Sequence, residues 1–98
     1  MEKILNLTLK KKWFDMTRAG IKKEEYREVK PYWVNRLISE DGITYNHFDT
    51  VREKNGYGDV PCFDIECIGI SVGRGNPEWG APKDKDVFII HLGEIKAD

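Results

Sequence analysis

Lys22, Glu25 and Arg27 fall within six consecutive positions of the segment Gly20-Ile21-Lys22-Lys23-Glu24-Glu25-Tyr26-Arg27. These residue types suit an anionic or hydrogen-bonding ligand. Lys and Arg hold an anion through charge-assisted bonds, while a carboxylate orients an Arg or accepts a nucleobase N–H. Strands disfavour so much charge, so an extended segment of this composition needs a reason. One reason is a cleft lined by these side chains. Another is an edge strand whose charges discourage aggregation. In strict alternation Lys23, Glu25 and Arg27 share one face, and Lys22, Glu24, Tyr26 and Glu28 the other.

Aromatic residues supply the second half of a binding chemistry. Single-stranded nucleic acid is held by rings that stack on bases beside a basic groove. Tyr57, between Gly56 and Gly58, and Trp79, in the loop Gly73–Pro82, are candidate stacking contacts. Trp13 is more simply core. Arg74 and Lys11 are candidate phosphate contacts. Lys10-Lys11-Lys12 opposes the macrodipole of any helix it starts, a slight cost that favours a phosphate role.

Other motif matches carry less. Gly69-Ile70-Ser71-Val72-Gly73 fits G-x-S-x-G, but a nucleophile elbow needs a strand, a turn and a helix on a large parallel sheet. Here the match lies in a strand followed by a Pro/Gly loop. Gly73-Arg74-Gly75 starts a dinucleotide fingerprint, but Glu78 occupies the third glycine position. His47 and His91 read as isolated strand residues, and Cys62 and Cys67 as thiols on opposite strand faces, too far apart for a disulfide. No metal and no cofactor is expected.

The elements that must position these residues follow from periodicity and turn chemistry. Leu5, Leu7 and Leu9 alternate in a strand over 3–9. Trp13, Met16 and Thr17 recur at helical spacing over 11–19, with Gly20 at the C-terminal cap. An extended segment covers 22–30. Pro31 opens a second helix carrying Trp33, Leu37 and Ile38. Strands are expected at 47–53, 61–72 and 86–92. In the longest, the even positions change from Cys62, Asp64 and Glu66 to Ile68, Ile70 and Val72. That change of phase beside Gly69 implies a bulge or a barrel bend. The order β-α-β-α-β-β-β predicts an α+β fold with a mostly antiparallel sheet, open or closed into a barrel.

The chain has 98 residues with a formal net charge of -1, which suits one domain over 1–98. Near-neutrality argues against a protein that coats duplex DNA. The balance is uneven: residues 1–30 hold nine Lys/Arg and five Asp/Glu, whereas residues 31–98 hold seven and twelve. An anionic partner should therefore meet the N-terminal third first. No apolar run suits a membrane span, and the first residues lack the apolar core of a signal peptide, so no membrane contact and a cytoplasmic location are expected.

The segment Gly20-x-Lys22-x-x-Glu25-x-Arg27, following a strand and a helix with Trp13-Phe14, resembles the signature of the ASCH domain, named for activating signal cointegrator homology. Glu66-Cys67-Ile68-Gly69-Ile70 resembles that family's glycine-marked barrel strand, and Phe88-Ile89-Ile90 its closing strand. The resemblance spans nearly the whole chain. It implies a PUA-like β-barrel with two short helices packed at one end, and a cleft that takes RNA or a nucleotide. Some members are amidohydrolases of acylated cytidine that use a lysine with a threonine nucleophile in this segment. Lys22 matches the lysine, but Glu25 stands at the threonine position. As an enzyme, the chain would instead use Lys22 with Glu25 as general base for water, acting on a modified nucleoside or on RNA. A third possibility is a protein-interaction domain that presents loops 54–60 and 73–83.

Overall fold

Alternating apolar side chains and one change of phase shape the sheet. The computed structural model describes residues 2–97. In chain order it contains β1 (Ile4–Thr8), α1 (Lys11–Arg18), β2 (Glu24–Arg27), α2 (Pro31–Leu37), β3 (Thr50–Lys54), β4 (Cys62–Gly73), a 3-10 turn (Pro77–Trp79) and β5 (Val87–Ala97). The architecture is α+β. Five strands form one sheet in the order β1-β3-β4-β5-β2. The β3–β4, β4–β5 and β2–β5 pairs are antiparallel, and β1–β3 is parallel. Parallel pairing is possible because α1, β2 and α2 intervene in the chain between β1 and β3.

Leu5 and Leu7 of β1 lie opposite Val51 and Glu53 of β3, which lie opposite Ile65 and Phe63 of β4. All of these but Glu53, with Phe88, Ile90 and Leu92 of β5, form the apolar core on the concave face, and Glu53 is buried on the same face. Phe14 of α1 meets Phe63 edge-on, with centroids 5.2 Å apart and planes at 69°, a geometry worth about 0.5–1.5 kcal/mol beyond burial. The pairing of β4 with β5 slips in register at Asp64/Ile65, Ile65/Cys67 and Cys67/Gly69. Buried residues on β4 are odd-numbered up to Cys67, whereas beyond it Ile70 packs on the core. Such irregularities increase local twist, and the sheet curls into a half-barrel. The change of phase expected at Gly69 is therefore found.

Several expected boundaries and faces need correction. The extended segment placed at 22–30 is a strand only over Glu24–Arg27. Lys22 precedes it, because Gly20 at φ 80° turns the chain so that the amides of Ile21 and Lys22 both meet Met16 O, at 3.0 and 3.1 Å. Strict alternation therefore fails at Lys22, whose side chain is buried on the same side as Glu25. The buried face of α1 carries Phe14 and Thr17 rather than Trp13 and Met16, because Phe14 is the residue that reaches Phe63. Ile38 lies just past α2, yet still packs on the core. The third strand starts at Thr50, so His47 lies outside it and pairs with Asp49 at 2.8 Å. The last strand continues to Ala97.

After β4 the chain folds back over β2. A Cβ on Gly75 would lie 2.5 Å from the Tyr26 ring and 2.6 Å from the Ala81 Cβ, whereas one on Gly69 meets nothing within 4 Å. Gly75→Ala should therefore destabilise the protein by about 1–3 kcal/mol, and Gly69→Ala should change stability little. Urea denaturation of the two variants checks the contrast; equal midpoints would show that the loop does not rest on Tyr26 as described.

Candidate functional site

The motif residues converge inside the curl. Lys22 and Glu25 are each 1% exposed, and Glu53 on the facing strand β3 is 0% exposed. The Lys22 ammonium pairs with Glu25 Oε1 and also donates to Glu24 O. Thr17 Oγ1 lies 3.1 Å from Glu25 Oε2 and 2.9 Å from Trp13 O, so its single hydrogen serves one of two acceptors. Removing two charges from water is costly unless they are paired and hydrogen-bonded. Glu25 meets that condition through Lys22 and Thr17.

Glu53 does not. No donor reaches either of its oxygens, but once protonated its own O–H can be donated to the Glu25 carboxylate. Burial first, and then the neighbouring Glu25 carboxylate, push its carboxyl up from 4.5 to about 10. It is therefore neutral near pH 7. Sequence reading missed Glu53 and Thr17. The signal for Glu53 was present: it stands two residues after Val51, on the same strand face.

Arg27 spans the opening of the half-barrel. Its Nη1 donates to Tyr26 O at 2.7 Å and its Nη2 to Thr8 O at 3.1 Å. It thus ties β2 to β1, the two strands at opposite ends of the sheet. Its guanidinium lies 5.3 Å from the Trp33 ring centroid. Burial lowers its pKa, opposed by Glu25, Glu53 and Tyr57. Two of its five donors serve the backbone.

Beside Arg27 is a cleft of about 540 Å³ that also reaches Asn6, Thr8, Lys30, Trp33 and two exposed rings, Tyr32 and Tyr57. Tyr57 is 87% exposed and Tyr32 58%. A smaller hollow of about 250 Å³ touches Thr17, Gly20, Lys22 and Gly93. Arg27 also lines a hollow of about 320 Å³ with Tyr26, Ala81 and Val87, so the motif borders three hollows, two beside Arg27 and one beside Lys22.

The other predicted site residues lie elsewhere. Lys11 is exposed and pairs with Asp15, one turn along α1. Arg74 is exposed and held by Asp86 at 3.2 Å and Lys83 O at 3.1 Å. Trp79 is half-buried on the 3-10 turn and does not line the cleft of Tyr57. Asn6, Thr8, Lys30, Tyr32 and Trp33 were missed because only the folded sheet sets its two edges face to face. Among the described residues, no group of three or more His, Cys, Asp or Glu could hold a metal ion, and no helix is long and apolar enough to cross a membrane. Cys62 is exposed and Cys67 buried, both as free thiols. No family model, curated protein or solved structure matches the chain.

The Glu53 carboxyl sets a pH dependence. Its folded pKa, about 10, lies above its ordinary 4.5. The folded state therefore holds a proton that the unfolded state releases. That stabilisation is complete below the unfolded value and is lost as pH rises through the folded one. Urea midpoints should fall between pH 6 and 9 in the wild type, and fall less in Glu53→Gln. Equal slopes in the two proteins would show that Glu53 is ionised in the fold.

Proposed function

We propose that the chain binds RNA, or a nucleotide from it, in the cleft between the facing edges of the half-barrel. The observation that carries this reading is the pair of exposed rings, Tyr57 and Tyr32, beside Arg27 and Lys30 in one cleft. Rings supply stacking surfaces, and the two cations suit a phosphate. Asn6 and Thr8 add short polar groups suited to a base edge or a sugar hydroxyl. The resemblance of Gly20-x-Lys22-x-x-Glu25-x-Arg27 to the ASCH signature, which would make the half-barrel a PUA-like one, points the same way. In this reading Lys22 and Glu25 hold the floor of the site, and Arg27 joins that floor to the ligand.

The near-neutral chain fits a site that takes one or a few nucleotides. Charge reversal at Lys22 or Arg27 would unpair buried groups and confuse unfolding with lost binding, so substitutions at exposed ring and cation positions are the cleaner test. In a low-salt titration with a short fluorescent single-stranded RNA, Tyr57→Ala should weaken binding by about 1–3 kcal/mol. The wild-type salt slope should be near -1.4, about 0.7 for each of two phosphate-binding cations, and Lys30→Ala should halve it. Absence of wild-type binding to RNA or nucleotides, or unchanged binding in Tyr57→Ala, would overturn the proposal.

A hydrolase acting on acylated cytidine or RNA is the second reading. It is favoured by a small hollow that Lys22 and Thr17 line, with the Glu25 carboxylate buried directly behind them in contact with both. Glu25 would take a proton from the attacking water, and Lys22 would face negative charge developing on the substrate oxygen. Mass spectrometry of N-acylated cytidine incubated with the protein should then show deacylation that Glu25→Gln abolishes. No turnover, or equal turnover in the variant, removes this reading and leaves the binding cleft standing.

A further inference from the structure

The other face of the same strands carries a second constellation, independent of the cleft. Glu25 lies opposite Ile90, a core residue, so the neighbouring pair Glu24 and His91 points to the convex face. His91 also lies opposite Gly69 on β4, and Ser71 is the next residue of β4 on that face. Three adjacent strands thus bring three side chains together. Ser71 Oγ lies 2.8 Å from His91 Nε2, and His91 Nδ1 lies 3.5 Å from Glu24 Oε2. The chain of contacts continues: Tyr26 Oη donates to Glu24 Oε1 at 2.7 Å and accepts from the Asn76 amide at 3.0 Å.

Each contact sets the next. Burial keeps the Tyr26 hydroxyl protonated far above neutral pH, so it acts as a donor and fixes Glu24. The Glu24 carboxylate favours the imidazole tautomer with its hydrogen on Nδ1. That leaves the Nε2 lone pair facing the Ser71 hydroxyl, the arrangement in which a histidine removes a serine proton. Space is available at the serine. Gly69 and Gly73 flank it on the same strand face, and a Cβ on Gly69 would meet nothing within 4 Å. The His91 side chain is 38% exposed. The G-x-S-x-G match, which does not make a nucleophile elbow here, thus has a different use: Gly69 leaves the strand face open on one side of Ser71, whereas a Cβ on Gly73 would touch Ile89 Cδ1 at 3.8 Å.

We infer that Ser71, His91 and Glu24 form a nucleophile, general base and positioning carboxylate that cleave small-acyl esters on the convex face of the sheet. Ser71 Oγ attacks the ester carbonyl carbon, and its hydrogen passes to His91 Nε2. The bond from that carbon to the alcohol oxygen breaks, and the alcohol leaves with the hydrogen from His91. Water repeats the sequence on the acyl-serine, giving the acid and the free hydroxyl. Glu24 touches only His91 and Tyr26 in this scheme and acts by orienting the ring.

A fluorophosphonate probe tests this directly. Ser71 Oγ would displace fluoride from phosphorus and retain the phosphonyl group, a mass change that peptide mass spectrometry assigns to one residue. The folded wild type should be labelled at Ser71, and the same protein unfolded in urea should not. His91→Ala, or His91→Gln should the first variant not fold, should slow labelling by about a hundredfold or more. Glu24→Gln should slow it, and Glu24→Asp, which keeps the carboxylate, should recover part of the rate; a purely structural glutamate would give no such ordering. Folded wild type unlabelled at Ser71, labelling unchanged in the His91 variant, or equal labelling in urea would overturn the inference. None of these readouts depends on RNA binding, so failure here leaves the cleft proposal untouched.

Discussion

A lysine and a glutamate with 1% of their surface in contact with solvent are the constraint around which this small sheet is arranged. An ammonium inside a half-barrel must have its donors met, and removing either partner of a buried pair leaves an uncompensated charge. Lys22 is met by Glu25 and by a backbone carbonyl, and Glu25 by Lys22 and Thr17. Each partner comes from a different local device. Thr17 is on the last turn of α1, Lys22 follows the glycine turn after that helix, and Glu25 is on β2. The helix, the turn and the strand therefore hold one geometry or none, which couples the first third of the chain to the rest of the sheet.

Glu53 adds a group that no donor satisfies. Buried beside the Glu25 carboxylate, it is held in its protonated form, which can donate to Glu25. An apolar side chain of similar volume there would avoid burying a carboxyl. The carboxyl is instead kept beside Arg27, the one side chain that reaches from the buried cluster to the open cleft. A buried acid whose ionisation is strongly perturbed beside specific charged groups marks a candidate functional site.

How far the sequence could disclose this depends on the range of each interaction. The motif cations and Glu25 were legible because they sit within one turn and one short strand. The bend in β4 was legible as a change of hydrophobic phase. The pairing of Lys11 with Asp15 is equally local, yet sequence reading makes Lys11 a phosphate contact; the i, i+4 spacing offers a surface reason for that lysine. Cleft residues such as Asn6, Tyr32 and Trp33 become neighbours only when register slips along β4 and β5 curl the sheet. That curl brings β1, at one end of the strand order, to within reach of Arg27 at the other. Periodicity reports which face a residue occupies; it does not report which strand edge will stand across from it.

Register explains why the two faces of β2 can serve separate ends. Its four residues alternate between Glu25, turned into the buried cluster, and Glu24 and Tyr26, turned out toward His91 and the loop at Asn76. A slip of one residue against β5 would exchange the two sets, setting Glu25 against His91 and turning Lys22's partner to solvent. Several contacts resist that slip. The Leu92 amide donates to Lys23 O at 3.0 Å just before the strand, the Arg27 guanidinium reaches Thr8 O just as it ends, and Lys22 is buried against Glu25. The interior ion pair thus fixes the register that sets the exterior Glu24–His91–Ser71 contacts, so the outer constellation inherits its geometry from the inner one without sharing any of its chemistry.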